Sequence, residues 1–311
     1  MNKERKQFMK TCKPVFRALA VVLAVACIAI AADAPKLTFQ FKTLKGFPKA
    51  EQTSMYGINN KNVVVGLYLD QKGMSHGVRW DGKSKKFTTI DDPKGDMGSE
   101  CINLNSKGTI VGGYYTAGSL FGFQYKDGKF IDVGPAGVVS EAWGINDNGE
   151  IAGFVTDSNS VVHGYFWDGK EYTILDYPGA NNYTNAWGIN NAGLVTLQWI
   201  DSSGNYEGAT YNTKTGAYSK PINVPGAAST YIHSINNAGD IVFSWYDSSG
   251  NGHGALRMRE GKKFKFYEFS DPKGPDYTKP DGINDKREIV GRYEQTGHKF
   301  EQSFEAKYSR Q

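Results

Sequence analysis

Two glutamates, Glu100 and Glu141, each stand five residues ahead of an asparagine, Asn105 and Asn146, at equivalent places in similar stretches. Two such carboxyls can do general acid–base work, one giving a proton while the other takes one. In an inverting glycosidase the pair stands ~6.5–9.5 Å apart, with room for a water between. His233 and Tyr231 are the next acid–base candidates. A second set, Tyr56, Trp143, Trp187, His233 and Asp281, mixes aromatic faces with a few polar groups. That is the composition of a site for a sugar or another small polar ligand. The competing structural reading is that Trp143 and Trp187 only fill space between repeats.

Other constellations lead to structure rather than chemistry. His76, His163 and His253 stand at one place in three of the repeats; spread around a fold they cannot converge on one metal, so no metal site is expected. The turns at 201–205 and 247–251 (DSSGN) are oxygen-rich but lack the spacing and closing Glu of a calcium loop. Ser75 lies in a G-x-S-x-G string, yet no helix follows it, and that motif needs a strand-to-helix turn. Cys101, in an apolar strand, reads as a small core residue. No phosphate loop, paired CxxC or dinucleotide fingerprint occurs, so no cofactor is expected.

The elements that must carry these residues come from an internal repeat. GINNKNVVVGLY at 57–68 returns as NLNSKGTIVGGY, GINDNGEIAGFV, GINNAGLVTLQW, SINNAGDIVFSW and GINDKREIVGRY. Asn59, Asn105, Asn146, Asn190, Asn236 and Asn284 form one column, and Pro48, Pro93, Pro135, Pro178, Pro225 and Pro272 another. The asparagines are expected to cap the turn after the first strand of each unit. Each copy parses into four short alternating strands with Asp-Gly hairpin turns such as Asp81-Gly82. Gly fills 37 of 311 positions, above the usual ~7%, which suits dense turns.

Four strands in each unit of about 45 residues predict an all-β fold, a single six-bladed β-propeller of four-stranded blades over 33–311. The last copy lacks a fourth strand, and the segment 37–50 has the fourth-strand pattern. The N-terminal strand is therefore expected to complete the last blade. Two positions ahead of each Asn vary freely: Tyr56, Ile102, Trp143, Trp187, His233, Asp281, and Ser54, Glu100, Glu141, Asn185, Tyr231, Lys279. They are expected around the mouth of the axial channel.

Residues 1–32 read as an export signal peptide. Six basic residues from Lys3 to Arg17 precede an apolar run ending in Ala29-Ile30-Ala31. Cys27 in Ala24-Val25-Ala26-Cys27 is the rival, a weak lipobox for a lipid anchor. Without 1–32 the net charge of +4 becomes 30 basic against 31 acidic residues. No basic stripe remains, so nucleic-acid binding is not expected. No apolar run reaches the ~20 residues of a membrane span.

The columns resemble the bacterial HAF family of extracellular repeats, whose unit reads GINN-x-G-x-I/V-V-G, then His-Ala-Phe, then an ending near Pro-Gly-Ala. The triplet stands here as His76-Gly77-Val78, His163-Gly164-Tyr165 and His253-Gly254-Ala255, while Phe121 and Glu207 replace its His in two copies. Pro178-Gly179-Ala180 and Pro225-Gly226-Ala227 keep the ending. The resemblance covers about residues 40–308 and implies an exported, periplasmic or extracellular bacterial protein; it implies no activity. Two functions stay open: a non-enzymatic binder of a glycan, small polar ligand or protein through its loop-rich face, and a hydrolase or lyase acting on a glycan at the axial pocket.

Overall fold

Each asparagine of the repeat column sets the turn that follows it. Asn59 Oδ1 accepts from the backbone N–H groups of Lys61 (3.0 Å) and Val63 (3.1 Å), a side-chain-capped turn. Asn190 does the same for Ala192 (3.1 Å) and Leu194 (3.0 Å). The amide nitrogens do something the column alone does not predict. Nδ2 of Asn59 donates to the carbonyl of Asn105 (3.0 Å), Asn105 to Asn146 (3.0 Å) and Asn146 to Asn190 (3.0 Å). Asn190 then donates to Asn236 (3.1 Å), Asn236 to Asn284 (3.2 Å), and Asn284 back to Asn59 (3.1 Å). The bonds form a cycle of buried side chains. A buried polar end left unpaired costs ~1–3 kcal/mol, so both ends of each amide matter.

The computed structural model describes residues 36–135, 138–275, 277–295 and 297–310. The expected leader over 1–32, with Cys27, lies outside the described residues. No helix occurs among the described residues, and so none is long and apolar enough to cross a membrane.

The strands fall in antiparallel groups of four. The first group is β2 (Gln52–Ile58), β3 (Val63–Leu69), β4 (Ser75–Asp81) and β5 (Lys86–Thr89). The next is β6 (Gly98–Leu104), β7 (Ile110–Thr116), β8 (Ser119–Lys126) and β9 (Lys129–Val133). One parallel bridge, Ser75 to Gly98, joins these two groups into an eight-stranded sheet. Separate sheets follow: β10 (Val139–Ile145), β11 (Ile151–Thr156), β12 (Val162–Trp167), β13 (Tyr172–Leu175); then β14 (Thr184–Ile189), β15 (Leu194–Ile200), β16 (Tyr206–Asn212), β17 (Ala217–Tyr218). After β18 (Ser229–Ile235), β19 (Ile241–Tyr246), β20 (Gly252–Glu260) and β21 (Lys263–Phe269) comes a sheet that mixes both ends of the chain. It runs β22 (Thr278–Ile283), β23 (Glu288–Tyr293), β24 (Gln302–Arg310) and β1 (Leu37–Thr43), with Leu37 opposite Arg310 and Thr43 opposite Phe304.

The core lies between neighbouring sheets. Val63 and Val65 of β3 meet Cys101, Ile110 and Phe123 of the next group in one buried cluster. Each fully buried aliphatic side chain there contributes ~1.5–3 kcal/mol. Cys101 is wholly buried, and burial pushes its thiol pKa up, away from a nucleophile's range.

Every first strand of a group carries a β-bulge at one place. The register shifts between Met55 and Gly57, Cys101 and Asn103, Ala142 and Gly144, and Ala186 and Gly188. It shifts again between Ile232 and Ile235 and between Pro280 and Gly282. A bulge adds an unpaired residue and re-aims its side chain. The residues so placed are Tyr56, Ile102, Trp143, Trp187, His233 with Ser234, and Asp281.

Candidate functional site

All six re-aimed positions line one cavity of about 210 Å³, joined there by Glu100, Glu141, Lys279 and Arg292. This volume is below the ~300–1,000 Å³ of a drug-sized site, so it suits one small ligand. Two glycines on the second strands hold the glutamates in place. A Cβ on Gly112 would lie 2.0 Å from the Glu100 carbonyl oxygen, and one on Gly153 2.0 Å from that of Glu141. Only glycine allows so close an approach.

Tyr56, Trp143, Trp187, His233, Asp281, Glu100 and Glu141 therefore meet, whereas Tyr231 does not join them. Tyr231 shares its ring position with Glu100 and Glu141, but its phenol packs against Tyr206 (4.7 Å between centroids) and Tyr246 (5.6 Å). Aromatic pairing of this kind is worth ~0.5–1.5 kcal/mol beyond burial, which holds the ring outside the cavity. Of the two further acid–base candidates, His233 lines the cavity and Tyr231 stands apart from it. Ser54 and Asn185 also stay off the cavity wall; Asn185 Nδ2 donates to Tyr183 Oη at 2.6 Å.

Arg292, on the second strand β23, is the residue that reading the first strands misses. Its Nε donates to Asp281 Oδ2 (3.0 Å), Nη2 to Asp281 Oδ1 (3.3 Å) and Nη1 to Glu301 Oε2 (2.7 Å). The guanidinium stands 5.1 Å from the centre of the Tyr56 ring. The signal for it in the sequence is a charged residue where the other repeats place Leu67, Gly113, Phe154, Gln198 and Ser244.

The cavity has an acidic wall. Glu100 accepts from the Tyr115 hydroxyl, Glu141 Oε2 accepts from Trp143 Nε1 at 2.6 Å, and both carboxyl-bearing residues line the same cavity. Burial pushes both above the ordinary carboxylate range, Glu141 furthest because the Glu100 charge adds to its burial. The pair therefore retains a proton well above the usual carboxylate pKa.

The opposite wall is basic. Lys279 Nζ makes no hydrogen bond among the described residues; its nearest carboxylate, Asp281 Oδ1, is 3.8 Å away and already serves Arg292. It sits 5.9 Å from the Trp187 ring centre. Burial and the Arg292 charge lower the Lys279 pKa. Burial, then the charges of Lys279 and Arg292, push His233 well down, so its ring is neutral. His233 Nε2 pairs with Ser244 Oγ at 2.9 Å. His233 Nδ1 and Trp187 Nε1 are buried with no partner among the described residues. Trp143 and Trp187 lie with ring centres 3.8 Å apart and planes tilted by 41°, and Trp187 meets the His233 ring edge-on at 4.9 Å.

The other candidates are used structurally. His76 bridges Asp91 (2.7 Å) and Asp70 (3.7 Å), and His163 bridges Asp176 (2.8 Å) and Asp157 (3.7 Å). His253 lies 3.2 Å from Asp247. Asp201 Oδ1 accepts from the backbone N–H groups of Ser203 and Asn205, both at 2.8 Å, so the DSSGN loops turn on their own carboxylate. Ser75 is packed against Gly98, where a Cβ would come within 2.4 Å of its Oγ.

No protein-family model matches the chain, and no curated protein matches it in sequence. Among solved structures, the fungal lectin of Aleuria aurantia, described as a six-bladed β-propeller with a novel fucose recognition mode, is similar. The identity is 14%, the match covers 81% of this chain and 91% of the lectin, and the TM-score is 0.52. TolB from Acinetobacter baumannii is similar at 11% identity over 79% of this chain and 66% of its own, with TM-score 0.53. A protein described as TolB from Agrobacterium tumefaciens covers 89% of this chain and 99% of its own at 10% identity, with TM-score 0.56. At these identities the likeness carries the fold alone. The chain has the β-propeller fold.

Proposed function

We propose that the protein is an exported six-bladed propeller, closed by the pairing of β1 with β24, that binds one small polar ligand in its axial cavity without transforming it. The cycle of asparagine bonds through six repeats supports the blade number. The basic leader of the sequence and its HAF-like repeats support export. The observation that carries the binding function is the pair of unpartnered polar atoms, Trp187 Nε1 and His233 Nδ1, on residues of one aromatic-walled cavity. A buried donor without a partner costs ~1–3 kcal/mol, which a ligand acceptor recovers. The lectin's sugar is not carried over to this chain.

Intrinsic tryptophan fluorescence of the full chain, titrated with a panel of neutral sugars, amino acids and organic acids, tests this. A saturable change that disappears in Trp187→Phe is the expected result. A folded protein that shows neither a fluorescence change nor a thermal shift with any panel member overturns it.

Glycan cleavage by Glu100 and Glu141 is the second reading, favoured by the proton their pair retains. Against it, Glu100 already accepts from Tyr115 and Glu141 from Trp143, so both carboxyls are engaged in the cavity wall. Turnover of a glycan that Glu141→Gln abolishes would reverse the order of the two readings.

A further inference from the structure

Building on the proposal that this cavity binds a small polar ligand, we infer that the ligand is a zwitterion with an ammonium at one end, a carboxylate at the other and a short apolar body between.

Charge within the cavity is sorted by position. Following the asparagine cycle, the repeat that holds Glu141 lies three steps from the repeat that holds Lys279 in either direction, so the two face each other across the axis. They also occupy the same place in their strands, five residues ahead of Asn146 and Asn284. On one side, Glu141 and Glu100 line the cavity from neighbouring repeats, and Glu141 Oε1 has no hydrogen-bond partner among the described residues. On the other, Lys279 Nζ, Trp187 Nε1 and His233 Nδ1 have no hydrogen-bond partner among the described residues, and Trp187 lies beside both of the others.

Each wall lacks what a zwitterion supplies. Two neighbouring buried carboxyls avoid repulsion only while they hold a proton, and an ammonium can take that proton's place as donor. The lysine ammonium and the indole N–H are donors only, and a neutral imidazole can present Nδ1–H when Nε2 accepts from Ser244; together they fit a carboxylate. Arg292 does not compete for it, because Asp281 and Glu301 already take three of its N–H bonds. A neutral ligand leaves Lys279 with only the long 3.8 Å ion pair to the Asp281 carboxylate that it shares with Arg292, and a ligand of single charge satisfies one wall only. Trp143 and Trp187, at 3.8 Å, supply the apolar surface between the two walls. Because the charged groups oppose each other across the axis, the ligand's charges belong at its two ends, as in an ω-amino acid.

Calorimetric titration of the full chain with 5-aminovalerate, its N-acetyl derivative and its amide tests this. The first keeps both charges, the second loses the ammonium and the third the carboxylate, on one carbon skeleton. 5-Aminovalerate is expected to bind at least ~10-fold more tightly than either derivative, as loss of a charge-assisted hydrogen bond implies. In Lys279→Met the amide should bind as well as the parent compound, and in Glu141→Gln the N-acetyl derivative should. Equal binding of all three to the unaltered chain overturns the inference and leaves a small-ligand site standing. So does either derivative matching the parent, which makes the site one for an anion or a cation alone. Binding of none of the three also overturns the inference, while the small-ligand reading is judged separately by the loss of panel responses in Trp187→Phe.

Discussion

Arg292 grips Asp281 through two nitrogens, Nε to Oδ2 at 3.0 Å and Nη2 to Oδ1 at 3.3 Å, across adjacent strands of the sheet that mixes both chain ends. A third bond to Glu301 leaves the guanidinium with a carboxylate on either side. Planar two-point pairing of this kind is what arginine does and lysine cannot. Arg292→Met should strand both carboxylates in a nearly dry setting, at a cost of ~3–5 kcal/mol. Urea denaturation of the variant checks the size of the loss. Adding Asp281→Asn in the same chain should return part of it.

The acidic wall makes stability depend on pH with a definite sign. Burial raises the folded-state pKa of Glu100 and Glu141 above the ordinary 4.5, so between that value and the raised ones the folded chain holds more protons than the unfolded one. Stability from this pair is therefore fullest below about pH 4.5 and declines as pH rises, by up to ~1.4 kcal/mol per pH unit for each proton retained. Glu141→Gln removes the ionisable group and keeps the shape. It should be more stable than the natural chain at pH 8, with the difference shrinking toward pH 4. Melting temperatures across that range decide; a constant difference would contradict the assignment.

Asn190→Asp is the sharpest probe of the amide cycle. Aspartate keeps the oxygen that caps the turn to Ala192 and Leu194, but it cannot donate to the Asn236 carbonyl as Nδ2 does at 3.1 Å. A buried carboxylate then faces a carbonyl. The expected loss is ~1–3 kcal/mol or more, measured by chemical denaturation. A turn-capping role alone would leave stability nearly unchanged.

Cys101, fully enclosed and with its thiol pKa pushed up by burial, should resist alkylation in the native chain and react at once in denaturant. Rapid labelling by iodoacetamide under native conditions would show that the core between β3 and β6 opens.

The sequence exposes the asparagines because a turn of this kind needs one residue type, and that need repeats. It exposes the cavity ring in another way, as two places where type is free while the neighbours stay small. The bulge is hidden, because Tyr56, Ile102, Trp143, Trp187, His233 and Asp281 share no chemistry that marks an extra residue in a strand. Tyr231 shows the limit of position as a guide: its place matches Glu100 and Lys279, but tertiary contact with Tyr206 and Tyr246 settles where its ring goes. Arg292 escapes for a different reason, since its strand is second in the repeat and its neighbours in register are mostly apolar or small. The placing of Glu100 and Glu141 on one cavity depends on the angle between successive sheets, which no residue type encodes.

The pairing of Leu37 with Arg310 and of Thr43 with Phe304 also imposes an order of events on assembly. Lys279, Asp281 and Arg292 belong to the sheet whose outermost strand comes from the beginning of the chain and whose other three come from its end. During synthesis β1 has to wait, because its partner β24 is made after all the strands between them. Repeats in the middle can form their hairpins from local contacts long before then, while the basic wall of the cavity acquires its full backing only when β24 is available. Formation of the cavity is thus tied to the emergence of β24, and a chain arrested before Gln302 would carry every cavity residue without the strand that supports Arg292 from behind.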